Sequence, residues 1–281
     1  GASGLFGTRA AEAFAAAGWQ VNKFQRGTDM AAAAMGMDVI VNGLNPPNYH
    51  AWATLIPQIT SQVIAAGKAS GATVIVPGNV YVFGNQAGPW GPATPHRPIS
   101  RKGAVRANME AAYRASGLQV IILRGGDFID PTSAKTAMGM VMLKNLAKGK
   151  IAALGDPAVI RAYAYLPDMA RAAAVLAERR GDLPQFADMP FAGVSQSMVD
   201  LQAGLQRHGT KPLKLGQFPW VIMRVAAPFW ELARELLEMR YLYDTPHTLD
   251  PKPLAVVLPE FRATPLDAIL KGQMSRFGAA S

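Results

Sequence analysis

The chain has no cysteine in its 281 residues. Disulfides, thiolate metal sites and cysteine nucleophiles are therefore absent together, and a reducing compartment is the simplest setting. No basic segment followed by an apolar one opens the sequence, so a cytoplasmic protein is expected. Long apolar runs are missing too. The most apolar stretch, Phe218 to Ala233, is interrupted by Arg224 and Glu231. It falls short of the roughly 18 uninterrupted apolar residues of a spanning helix. It reads as a buried helix, with a partner-facing or membrane-surface helix as the alternative, and no membrane partner is expected. His50, His96, His208 and His247 show no ligand spacing, so no metal site is expected. No Gly-x-Ser-x-Gly elbow and no P-loop lysine motif occur. Lys and Arg number 28 against 19 acidic residues, a net charge of +9. The cations are thinly spread, the densest runs being pairs such as Arg101-Lys102 and Arg179-Arg180. That argues against nucleic acid, which wants them clustered, and for anionic small molecules. Half of the residues are apolar, which excludes a disordered chain.

What is present begins at the first residue. Gly1, Gly4 and Gly7 form G-x-x-G-x-x-G, and Phe6, Ala10, Ala13, Phe14 and Ala17 follow at helical spacing. Gly18 is a helix stop, and Trp19 to Arg26 is a strand candidate. A glycine loop opening a helix that leads to a strand is the second part of a βαβ dinucleotide site. Glycines let the backbone approach a pyrophosphate, and the helix start supplies free N–H groups. The strand expected before Gly1 is missing from this sequence. At the end of the 19–26 segment an acid would bind the ribose 2′-hydroxyl of NAD, whereas an arginine pairs with the 2′-phosphate of NADP. Arg26 stands there, with a planar fork suited to phosphate. An ordinary solvated arginine is the alternative, and Asp29 is the only nearby acid.

Apolar strands and helices then alternate. Asp38 to Asn42 reads as a strand, followed by the loop Gly43-Leu44-Asn45-Pro46-Pro47 at a ligand-facing edge. Tyr49 to Lys68 reads as a helix, Gly71 to Val76 as a strand, Ser100 to Ser116 as a helix and Leu118 to Arg124 as a strand. This alternation predicts an α/β fold with a doubly wound, Rossmann-type parallel sheet. Beyond Arg124 the helices 138–148, 168–179 and 196–208 are followed by a proline-rich remainder. We expect residues 1–126 to form the dinucleotide-binding unit and 127–281 a smaller C-terminal substrate lobe, with 165–180 returning to the first sheet.

With these pieces placed, the chain resembles the extended or atypical branch of the short-chain dehydrogenase/reductase superfamily, which includes NAD(P)-dependent epimerases and dehydratases. The resemblance is carried by Gly1-x-x-Gly4-x-x-Gly7, by Asn79 to Gly84, by Ile122 to Phe128 and by Tyr165 to Ala172. The tail around Phe218-Pro219-Trp220 and Glu238 to Leu242 is similar to that of uncharacterised bacterial epimerase/dehydratase-like proteins, a likeness that carries no chemistry. The resemblance implies NADP as cofactor, with NAD as the other option. Its cradle would be Gly1, Gly4, Leu5, Phe6, Gly7, Arg26, Asn42, Gly43, Leu44 and Arg106. It also implies a Ser or Thr and a Tyr-x-x-x-Lys pair, and here the sequence departs. Asn79 falls at the Ser/Thr position, and Lys102 and Arg106 replace the Tyr and the Lys. Lys102 releases a proton only if burial or neighbouring cations lower its pKa, and a solvated helix start is the bland alternative. Arg106 keeps a charge for the ribose but no labile proton. Tyr81, Asp127 and Phe128 are candidates to face substrate. Two functions stand: an NAD(P)-dependent oxidoreductase or isomerase acting on a small carbonyl or hydroxyl compound, or a non-catalytic NADP-binding sensor. Either is expected as a monomer or homodimer.

Overall fold

The computed structural model describes residues 1–278. Its first half runs α1 (Leu5–Ala16), α2 (Met30–Ala34), β1 (Val39–Val41), α3 (Trp52–Ser70), β2 (Thr73–Gly78), α4 (Arg101–Ala115) and β3 (Val120–Arg124). Then follow β4 (Asp127–Ile129), β5 (Lys150–Ala153), β6 (Arg161–Tyr165), α5 (Leu166–Glu178), β7 (Phe186–Pro190), β8 (Val194–Gln196), α6 (Met198–Gln206) and β9 (Lys214–Gln217). The chain closes with α7 (Trp220–Ala226), α8 (Glu231–Met239), α9 (Lys252–Val257) and α10 (Leu266–Gly278).

The principal sheet is parallel, in the order β1-β2-β3-β7, with Ile40 opposite Val74, Ile75 opposite Ile121 and Ile121 opposite Ala187. Its central strands are apolar on both faces because both faces are covered. Ile75, Ile121 and Leu123 point to α1 and α5, among Phe6, Phe14, Leu166 and Met169. Val74, Val76, Val120 and Ile122 point the other way, to Trp52, Ile56 and Val63 of α3 and Met109 and Tyr113 of α4. Alternate residues of one strand thus serve two cores, which is the doubly wound arrangement. The strand β7 and the helix α5 join this layer although both lie beyond residue 126.

The second part is built on β4-β6-β8, in which β4 runs parallel and β8 antiparallel to β6, and on the parallel pair β5-β9. These pack with α6 and α10 around Leu143, Ile151, Tyr163, Leu201 and Leu270. Ser197 caps α6 reciprocally with Asp200.

Three expectations are corrected. Trp19 to Arg26 forms no strand. Trp19 and Val21 pack on the α1–α5 core, but the segment has no ladder partner, and a strand exists only by pairing. Among the described residues β1 is the edge of the sheet and no strand precedes α1. The 138–148 segment is a wide turn at Met138–Met142, closed by Leu143 N–H donating to the Met138 carbonyl at 2.8 Å, and a separate short turn at Leu146–Lys148. Phe218 to Ala233 is not a buried helix. Pro228 splits it into α7 and the start of α8, and Val225 and Phe229 stand 73% and 94% exposed.

One buried cation joins the layers. Arg124, at the end of β3, is fully buried and forms two-pronged bonds to Glu110 of α4 at 3.0 and 2.7 Å and to Asp188 of β7 at 3.1 and 2.8 Å. It also donates to the Asn79 carbonyl at 2.6 Å. Arg124→Met should therefore cost about 3–5 kcal/mol, because it strands two buried carboxylates without a counter-charge. Urea denaturation at neutral pH measures this, and a loss below about 1 kcal/mol would show that the network contributes little.

Candidate functional site

The loop before α1 touches the loop after β1 backbone to backbone. A Cβ on Gly1 would overlap the Gly43 carbonyl, and one on Gly7 would overlap the Gly1 carbonyl. Only glycine permits this approach. α1 starts at Gly4 without a side-chain cap, so its first N–H groups have no side-chain acceptor. Leu5 is half-buried, and Phe6 is buried in the core behind the turn. Asn42 is tied in place: its amide donates to the Tyr113 hydroxyl at 2.9 Å, and its oxygen accepts from Leu44 N–H at 3.1 Å. Burial pushes the Tyr113 phenol up to about 12, so this tyrosine is a structural prop.

A cavity of about 660 Å³ opens beside this cradle, lined by Arg26, Thr28, Met30, Leu44, Pro46 and Ile59 among others. Among the described residues Arg26 has no ion pair or side-chain hydrogen bond. Asp29 instead caps α2, accepting from Ala31 and Ala32 N–H at 2.8 and 3.1 Å. Asp29 also lines the cavity, with Oδ1 taken up by the cap.

The loops after β1 and β2 bring a second group together. Asn79 Oδ1 accepts from Tyr81 N–H at 3.1 Å, which leaves the Asn79 amide N–H₂ free to donate. The Tyr49 and Tyr81 hydroxyls lie 3.1 Å apart. Burial raises both phenols, so both stay protonated. Tyr49 sits in a loop where Asn48, Tyr49 and Ala51 have φ of 54°, 61° and 48°, the left-handed region that bulky residues avoid. Arg106, buried on α4, donates to the Pro77 carbonyl at 2.6 Å and lies 6.0 Å over the Trp52 ring, while its Nε has no partner.

Lys102 is not a solvated helix start. It is 2% exposed, its Nζ is 5.2 Å from the Tyr49 ring centre, and it is gripped by Glu235 and by Glu238 at 2.8 Å. Glu238 also accepts from Lys102 N–H at 2.9 Å, placing an anion at the start of α4. Burial pushes the Glu238 carboxyl up, but the hydrogen bonds and charge of Lys102 outweigh it and hold the group below the usual range. These glutamates escaped the sequence reading. With Glu231, which pairs with His50 at 3.0 Å, they recur at i, i+4 and i+7 on α8, a spacing visible in the sequence. α8 lies over the Tyr49 loop.

Asp127 pairs with Arg161, whose guanidinium lies 4.4 Å from the Tyr243 ring centre. Phe128, in contrast, packs on the α1–α5 core. His96, Glu110 and Asp188 offer ligand atoms within 4.8 Å of one another, but Arg124 already occupies both carboxylates.

No family model and no curated protein matches the chain. Solved structures do. MoeE5 in complex with UDP-glucose and NAD is 15% identical, with a TM-score of 0.76 over 98% of this chain and 96% of that one. A putative epimerase from Burkholderia cenocepacia J2315 is 18% identical, with a TM-score of 0.75 over 99% and 96%. RMD from Pseudomonas aeruginosa, complexed with NADPH, is 15% identical, with a TM-score of 0.73 over 99% and 97%. The chain therefore shares the Rossmann-like fold of these structures. Among the described residues no helix is long and apolar enough to cross a membrane.

His247 closes the far side of this region. Its ring stacks on Trp90 at 4.4 Å, and its Nδ1 lies 2.8 Å from the Thr245 carbonyl. Burial, aided by Arg161, pushes its pKa down to about 4 against the favourable bond to Thr245. The unfolded chain protonates near 6.5, so stability present above that pH is lost as pH falls through about 4. The loss should approach roughly 3 kcal/mol. Thermal denaturation from pH 7 to 4 should give a shallower slope for His247→Phe, with His96 titrating in both proteins; parallel slopes would count against His247.

Proposed function

We propose that this protein binds a nicotinamide dinucleotide, NADP(H) before NAD(H), and acts with it on a small carbonyl or hydroxyl compound as an oxidoreductase or isomerase. The observation that carries this reading is the convergence of Asn79, Tyr81, Tyr49, Lys102 and Arg106 beside a cradle that only glycines permit, at the carboxyl ends of β1 and β2. Residues 1–126 would supply the cradle and 127–281 the substrate wall, with β7 and α5 reinforcing the first sheet. The neighbours' own complexes, with NAD, NADPH and a UDP-sugar, agree with the type of chemistry.

The residues present fit the cofactor. Gly1, Gly4 and Gly7 expose backbone to a pyrophosphate, with Leu5 and Phe6 setting the turn and Gly43 and Leu44 opposite. Arg26 faces the cavity with its guanidinium free for a 2′-phosphate. Arg106, with its orphaned Nε, would hold a ribose hydroxyl. When bound, the nicotinamide gives or takes a hydride. The chain's own part is to hold the reacting oxygen and move its proton. The free Asn79 amide donates to that oxygen. The Tyr81 hydroxyl, kept neutral by burial and bonded to Tyr49, is the proton donor. Lys102, locked by two carboxylates, acts as a fixed cation beside Tyr49. Asp127 and Arg161 line the substrate side.

The same lock on Lys102 favours a second reading, a sensor that binds NADP without turnover. Two measurements decide. Arg26→Ala should weaken NADPH by about 10–100-fold and leave NADH unchanged, and equal affinities in the wild type would sink the NADP preference. Tyr81→Phe should lower turnover by about 10²–10⁴-fold while NADPH still binds. Intact binding with no turnover by the wild type across a panel of aldehydes, ketones and UDP-sugars would select the sensor.

A further inference from the structure

The α7–α8 hairpin has two unlike faces. Its inner face carries Glu235 and Glu238, paired with Lys102 and Arg101, and Glu231 at its margin pairs with His50. Its outer face carries Val221, Ile222, Val225, Phe229 and Trp230, exposed by 62, 55, 73, 94 and 46%. Five large apolar side chains on consecutive turns form a continuous patch, unlike the single exposed apolar residues that any surface shows. Two arginines stand with them. Arg224 is exposed in the middle of α7, and Arg234 is exposed beside Phe229, its guanidinium donating to the Ala227 carbonyl at 2.9 Å. Glu235 and Glu238 are turned inward onto Lys102, while Glu231, next to Trp230, is half-exposed and pairs with the exposed His50.

We propose that this face docks on the surface of an anionic lipid bilayer. Interfacial helices combine an aromatic and aliphatic face, which enters the headgroup boundary, with flanking arginines that meet lipid phosphate. Here Phe229 and Trp230 lead the insertion, Val221, Ile222 and Val225 follow, and Arg224 and Arg234 pair with the headgroups. The net charge of +9 adds long-range attraction to the same surface. A second copy of the chain fits less well, because a two-fold contact through this patch gathers four arginines against two half-exposed glutamates, each already paired with His50. The face belongs to α7 and the turn before α8, whereas Lys102 is held by Glu235 and Glu238 of α8, so docking would leave those ion pairs intact.

Flotation of the full chain with vesicles tests this. The wild type should float with phosphatidylcholine vesicles containing phosphatidylglycerol and stay behind with phosphatidylcholine alone. Phe229→Ser with Val225→Ser should weaken partitioning by about tenfold or more, at unchanged net charge. Arg224→Gln with Arg234→Gln should weaken it by about fivefold for each charge removed. All four positions are exposed, and thermal denaturation of each variant checks that it is folded. Absence of flotation, or flotation undiminished in the Ser variant, overturns the proposal. A dimer seen by light scattering and abolished in that variant would assign the patch to a second copy instead.

Discussion

The site hangs on Arg124. A guanidinium at the end of the central strand holds carboxylates from a helix and a neighbouring strand, and with its remaining donor it fixes the Asn79 carbonyl. At this depth of burial, each of these charges is tolerable only because the others are there. The arrangement forces α4, β3 and β7 into one register. The turn from Asn79 to Tyr81 therefore stands in a set position relative to Lys102 and Arg106, which ride on α4. The same network crosses from the first sheet into a strand far along the chain, so the cradle and its surroundings form a single mechanical body.

Around that cation the sheet does ordinary work. Strands buried on both faces carry side chains alternately into two cores, and polar loops emerge at their carboxyl ends. Asn42 and Asn79 sit at two such ends, and both are pinned by hydrogen bonds before any ligand arrives. Preorganisation of this kind is what a small-molecule site needs, since the reacting groups then lose little freedom on binding.

How much of this was legible in the sequence differs by element. The strands at 38–42, 71–76 and 118–124 and the helices between them stand within a few residues of their expected places, because unbroken apolar runs and helical spacing are local signals. The 19–26 segment carries the right residues and forms no strand, since a strand depends on a neighbour that its own residues do not specify. Phe218 to Ala233 was misplaced because apolar content is silent about which side of a helix meets the protein. Glycine spacing marked the cradle. The Lys102 partners were invisible for a different reason: Glu235 and Glu238 lie more than 130 residues away, and only folding makes them neighbours.

The left-handed run at Asn48, Tyr49 and Ala51 has a consequence for motion. Such backbone costs about 1–3 kcal/mol per residue and persists only where its surroundings enforce it. Here the enforcing surface includes α8, held down through His50 on one side of Tyr49 and Lys102 on the other. Motion of this loop is thus tied to α8, because the contacts that hold its strained backbone also hold the Tyr49 hydroxyl against that of Tyr81.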